Sequence, residues 1–180
     1  FFIKSKPSSK DGPWLSKDHP QTAEWLKGHR DTIDKLLQAA KKDKCIFLPI
    51  KADHMNFGEY INHLSEIRQC AWLLISAANN DLAEGRFNTG IEKYLSVFRM
   101  AEHMYQQPAM LFHIVGFGIE RYTLEPLNQF VIEYQPSLEL LLIVSNLIDV
   151  ENNWNDYWLR TLEYEKLFAK NMTCYIAYET

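Results

Sequence analysis

The stretch Leu73 to Met104, LLISAANNDLAEGRFNTGIEKYLSVFRMAEHM, decides the fold. Upstream of it and through its first half, Ile61, Leu64, Ile67, Ala71, Leu74 and Ala78 recur every three or four residues, which places them on one helix face. Trp72, Leu73, Ile75 and Ala77 add a second apolar face, so this helix is expected to be covered on two sides. Asn79, Asn80 and Asp81 weaken the pattern, and Gly85 can end the helix in a left-handed conformation. Asn88 is the expected cap of a second helix whose Ile91, Tyr94, Leu95, Phe98 and Ala101 face back. With so short a connection the two helices must be antiparallel neighbours.

Residue size supports the pairing. Ala77 and Ala78 on the first helix and Gly90 on the second let the axes approach closely, and Gly85-Arg86-Phe87 turns the chain and brings an aromatic ring into the joint. Small residues, a Gly-x-aromatic turn, Gly90 and then Tyr94 resemble one tetratricopeptide-type repeat of roughly 34 residues. No second copy follows at that period. Val97 stands where the repeat has a small residue, and its terminal Pro is missing.

The 180 residues suit one domain with its own core. Apolar residues make up 47% and charged residues 23%, a globular balance. Seven Gly and seven Pro leave little room for many hairpin turns. The net charge is −4 with Lys and Arg scattered, which argues against the clustered basic face of a nucleic-acid binder. No run of about 18 apolar residues exists to span a membrane. Phe1-Phe2-Ile3 before Lys4 and Lys6 looks like the tail of an apolar segment with its basic flank, so a removed signal or membrane anchor is expected, and an exported or envelope-associated location is slightly favoured. Cys45, Cys70 and Cys174 form no CxxC pair. Cys70 and Cys174 read as small core residues, and a Cys45–Cys70 or Cys45–Cys174 bridge stays open if the chain is exported.

From the N-terminus, residues 1–18 read as an extended leader pinned by Trp14 and Leu15, and residues 19–180 as a single all-helical domain. Asp18 and Pro20 start a helix that runs to about Lys42, with Trp25, His29, Ile33, Leu36, Leu37 and Ala40 buried and Gly28 allowing a close crossing. Cys45 to Ile50 reads as an extended segment laid over the helices. After Pro108 comes a helix with Leu111, Ile114, Val115, Gly118 and Tyr122 on one face, which Pro126 kinks or breaks. Pro136-Ser137 restarts a helix with Leu138, Leu141, Val144 and Ile148 inward. The last helix carries Trp154, Trp158, Leu162, Ala169, Met172 and Ile176. The fold class is therefore all-α: about six to seven helices as antiparallel hairpins, stacked as a tetratricopeptide-like array or an irregular bundle.

The order of these pieces, including EIRQCAWLLISAA, EGRFNTGIEKYLSVFRMAEHM and AMLFHIVGFGIERYTLEPLNQFV, resembles an uncharacterised all-helical family of planctomycete-type bacteria. The resemblance implies a bacterial, helical and envelope-facing protein, and it supplies no activity and no functional residue.

Chemistry has few footholds. His113, Gly116 and Glu120 fall at i, i+3 and i+7 on one face, amid apolar neighbours, where a histidine and a carboxylate could tune each other for acid–base work and the glycines could leave room for a ligand. The plainer reading, a hydrogen-bonded core histidine with glycines for close packing, is preferred. Glu59, His63 and Glu66 could form half a metal site, but no Glu-x-x-His or His-Glu-x-x-His occurs, so they and Arg99, Glu102 and His103 read as solvated helix faces. No Gly-x-Ser-x-Gly, phosphate loop or haem-attachment motif exists. Trp154, Tyr157 and Trp158 form an aromatic stripe, read first as core packing and second as a docking surface. Asn171-Met172-Thr173 matches a glycosylation acceptor inside an expected helix. No catalytic, cofactor or metal residue is assigned. The expected function is a non-enzymatic scaffold or protein-interaction domain, bound to another protein or to itself. The alternative is a small-molecule or metal pocket near His113 and Glu120, with or without catalysis.

Overall fold

The computed structural model describes residues 12–45, 57–107, 109–148 and part of 158–170. It is all-α: no strand occurs among the described residues, and the helices pack against one another. In chain order they are α1 (Pro20–Gly28), α2 (Arg30–Ala40), α3 (Phe57–Ala83), α4 (Phe87–Tyr105), α5 (Met110–Tyr134) and α6 (Leu138–Ile148). The described residues of 158–170 are helical and belong to a seventh helix, α7.

Helix α4 is the hub. Its most extensive contact is with α3, then α5, and α2 and α6 also touch it. Tyr94, Val97, Ala101 and Met104 on α4 are fully buried, as are Ala71, Leu74, Ile75, Ala78 and Leu82 on α3. The α3–α4 joint forms as the sequence predicts. Gly85 adopts φ +79°, and a Cβ on Gly90 would stand 2.7 Å from Leu82 Cδ2 and 3.2 Å from the Ala78 carbonyl. Only glycine fits that approach unless Leu82 moves. The second helix begins at Phe87 with Arg86 at its cap, two residues before the expected cap Asn88. Ile61, expected on the buried face of α3, is 48% exposed.

Several other expectations change. The first helix is two: α1 ends at Gly28 and α2 begins at Arg30, with His29 between them donating through Nδ1 to the Trp25 carbonyl at 2.8 Å. The cap of α1 is His19 rather than Asp18, and nothing lies within 4 Å of a Cβ on Gly28, so that glycine marks the break and not a crossing. Helix α5 runs through Pro126, which is buried within it. Its buried face is Phe112, His113, Gly116, Ile119, Thr123, Leu127 and Phe130, whereas Ile114 is 59% exposed. Residues 110–119 of α5 are apolar on nearly every side, so periodicity alone could not choose the face there. Leu138, expected inward, is exposed, and so are Leu162 and Ala169 of the last helix. His103, expected in solvent, is buried and its Nε2 meets the Lys42 carbonyl at 2.7 Å. The extended segment beyond Cys45 and the glycosylation acceptor lie outside the described residues. Cys45 and Cys70 are free thiols, so they are not bridged to each other, and burial pushes both above the usual thiol range.

The leader is pinned as expected. Trp14 is buried, its N–H donates to the Asn79 carbonyl, and its carbonyl accepts from Asn80 Nδ2 at 3.3 Å. Ser16 N donates to Glu84 Oε1 at 2.8 Å, which lowers the Glu84 carboxyl.

Candidate functional site

His113 sits one turn into α5, with 3% of its surface exposed. Its Nε2 lies 3.0 Å from the Gln107 carbonyl and 2.9 Å from Thr161 Oγ1, while Nδ1 is buried with no partner. A carbonyl only accepts, so the proton resides on Nε2. That leaves the imidazole neutral with a bare Nδ1 lone pair. Burial holds its pKa below the usual histidine value, opposed in part by the Gln107 carbonyl. The rings of Tyr105 and Trp158 lie 5.8 and 5.6 Å away and close over it. His113 thus staples the start of α5 to the α4–α5 connection and to α7.

Gly116 is the crossing point of α4 and α5. A Cβ there would meet Tyr105 Cε1 at 2.8 Å, Met104 Cβ at 3.1 Å and the Ala101 carbonyl at 3.2 Å. The glycine therefore holds no ligand; its missing side chain is the space that the Tyr105 ring occupies. Gly118, by contrast, has nothing within 4 Å of such a Cβ and contributes no crossing. Glu120 is half-buried one turn beyond Gly116. Burial raises its carboxyl pKa above the ordinary range, the Glu102 charge adds to that rise, and the Tyr105 hydroxyl partly offsets it. Burial and Glu120 together push the Tyr105 phenol upward.

His113, Gly116 and Glu120 do share one face, but the structure does not bring the histidine and the carboxylate together. Seven residues separate them by about 10.5 Å along the helix axis. The Tyr105 side chain fills the interval, so they do not form a joint acid–base pair.

The cavity lies elsewhere. A cleft of about 870 Å³ opens between α5 and α6. Leu124, Leu127 and Val131 of α5 and Leu141 and Val144 of α6 make its apolar walls; Arg121, Glu125, Asn128 and Ser145 supply its polar groups. Helix α6 makes only sparse close backbone contacts, more with α4 than with α5. None of the three candidate residues lines it.

Of the aromatic stripe, Trp154 and Tyr157 lie outside the described residues, and Trp158 is 39% exposed with its ring against His113. His63 and Glu66 form an exposed contact at 3.3 Å, and no metal-competent group of three His, Cys, Asp or Glu residues occurs among the described residues. No described helix is long and apolar enough to cross a membrane.

Sequence reasoning missed the polar cluster at the head of the α3–α4 hairpin. Asn79 is fully buried, and its Oδ1 accepts from the Tyr94 hydroxyl. Asn80 reaches Ser16 Oγ at 3.0 Å and accepts from Arg86 at 3.2 Å, while Asp81 pairs with Arg86 at 2.8 Å and with Lys93. The signal was the run Asn79-Asn80-Asp81 inside an apolar helix. It marked a buried network that seals the turn, not a frayed end.

Fold and site together define an all-α domain in which His113 is hydrogen-bonded in the interior and a large cleft is lined by two helices. No family model matches the chain, and no curated protein or solved structure is similar to it.

Proposed function

We propose that this chain is a helical protein-interaction domain and that α5 presents its docking face. The observation that carries this reading is the exposed apolar surface of α5: Met110, Ile114, Phe117 and Ile132 are 39 to 65% exposed on one helix. Leu159 and Leu162 of α7 extend the same apolar character near its N-terminal half. A cluster of large exposed apolar side chains such as Met110, Ile114 and Phe117 marks a contact site more often than a lone exposed leucine does, because it is costly to leave in water. The antiparallel α3–α4 hairpin, with its resemblance to a tetratricopeptide unit, supports the reading by analogy of architecture. The pocket alternative loses support because Tyr105 occupies the space between His113 and Glu120.

A photo-crosslinking residue at Phe117 tests the proposal in the source cell. Capture of a defined protein from position 117, but not from a residue such as Asp34 on α2, is the expected outcome. Equal, non-specific capture from both positions sinks the reading.

A further inference from the structure

The geometry points to a two-fold homodimer in which α5 of one copy lies antiparallel on α5 of a second copy. This presupposes the docking face proposed above and names its occupant. Met110, Ile114, Phe117, Arg121, Leu124, Glu125, Asn128 and Ile132 fall on one stripe of α5, and every one of them is exposed. Most of the spacing alternates between four and three residues, the pattern by which one helix seats along another.

The stripe is complementary to itself when reversed. Arg121 and Glu125 lie at equal distances in sequence on either side of Thr123, and so do Ile114 and Ile132. A dyad beside Thr123 therefore sets Arg121 of each copy against Glu125 of the other, twice. It also sets Ile114, 59% exposed, against Ile132, 65% exposed. Asn128 meets Gly118, where open space surrounds the missing side chain. Neither Arg121 nor Glu125 has an ion-pair partner among the described residues.

Shape agrees with charge. The N-terminal half of the stripe is a ridge, with Phe117 63% exposed, and the C-terminal half borders the cleft beside α6. Antiparallel pairing lays the ridge of each copy beside the cleft of the other. A parallel arrangement would set ridge on ridge and Arg121 on Arg121. An isologous interface requires this kind of self-complementarity.

Sedimentation analysis of the full chain from micromolar to submillimolar concentration tests the pairing. The wild type is expected to rise towards twice its 21.2 kDa mass. Arg121→Glu and Glu125→Arg are each expected to weaken dimerisation by about tenfold or more, because like charges then face each other twice. Mixed in equal amounts, the two variants are expected to pair with each other, since both contacts become complementary again. Both sites are exposed, so circular dichroism should show unchanged helix content. A wild type that stays monomeric throughout, or swaps that dimerise undiminished, or a mixture that stays monomeric, overturns the homodimer. If a different protein is still captured from position 117 in that case, the interaction-domain reading survives while self-pairing fails.

Discussion

Two helix joints in this chain start from similar turns and end differently. The α3–α4 connection passes through Gly85 at φ +79°, and the α5–α6 connection passes through Gln135 at φ +42°, both left-handed. The first joint closes until a Cβ on Gly90 would be 2.7 Å from Leu82. The second stays open around a cleft of about 870 Å³. A left-handed residue reverses the chain, but it does not bring two helices into contact. That is decided by side-chain volume at the crossing and by what else each helix touches. Gly90 faces Ala78 and Leu82, whereas Leu124 and Val131 face Leu141 and Val144, and α6 finds its neighbour in α4.

The strongest way to break this contrast is to add volume at the closed joint. Gly90→Val should destabilise the domain by about 3 kcal/mol in urea unfolding, because neither Leu82 nor the Ala78 carbonyl can yield fully. Gly116→Val should cost a similar amount through Tyr105 and the Ala101 carbonyl. A loss under about 0.5 kcal/mol at either site would show that the crossings are loose. Removal of volume gives the next largest difference. Leu82→Ala, at a fully buried site, should cost about 2–5 kcal/mol, but Leu124→Ala on the wall of the open cleft should cost less than about 1 kcal/mol. Equal losses would mean that the cleft is closed in solution.

Tyr94→Phe should cost about 1–3 kcal/mol, since it strips the buried Asn79 carbonyl oxygen of its donor. At the other end of the scale, Gly118→Ala on open space should stabilise α5 by up to about 1 kcal/mol. Equilibrium unfolding that ranks these two in the reverse order would contradict the assigned environments.

The α4–α5 crossing also predicts a pH signature. His113 has a folded pKa below its unfolded value, so its stabilising contribution is complete above about pH 6.5 and declines as pH falls through the folded value. Glu120 has a folded pKa above its unfolded value, so it destabilises the fold when ionised and that penalty fades as pH falls through the folded value. Glu120→Gln should therefore raise stability at about pH 7.5, and the gain over wild type should shrink by about pH 4. A His113→Gln variant should lose less stability than the wild type between about pH 7 and pH 5. Parallel curves for each variant and the wild type would show that these groups are not titrating within the crossing.

Much of the fold was legible in the sequence because steric and periodic signals were unambiguous there. Gly85, Gly90, Ala78 and Tyr94 specify a tight antiparallel hairpin, and each takes its expected place. The leader's anchor, Trp14, was also legible as a large aromatic just before the first helix. The site was less so. His113, Gly116 and Glu120 share a helix face as expected, but the residue that separates them is Tyr105, which belongs to another helix and carries no local signal of that contact. The buried Asn79 was hidden by its type, since an amide inside a helix is polar until a partner such as Tyr94 satisfies it.

The sequence by itself determined that this chain is all-α, where its central hairpin turns, and that Ala78 and Gly90 permit close approach there, because those properties depend on neighbours within a few positions. Only the tertiary structure decided which face of α5 is buried and that α6 stands off to leave a cleft. Those outcomes depend on packing between helices distant in sequence, and the nearly all-apolar residues 110–119 carry no local signal of which face is covered.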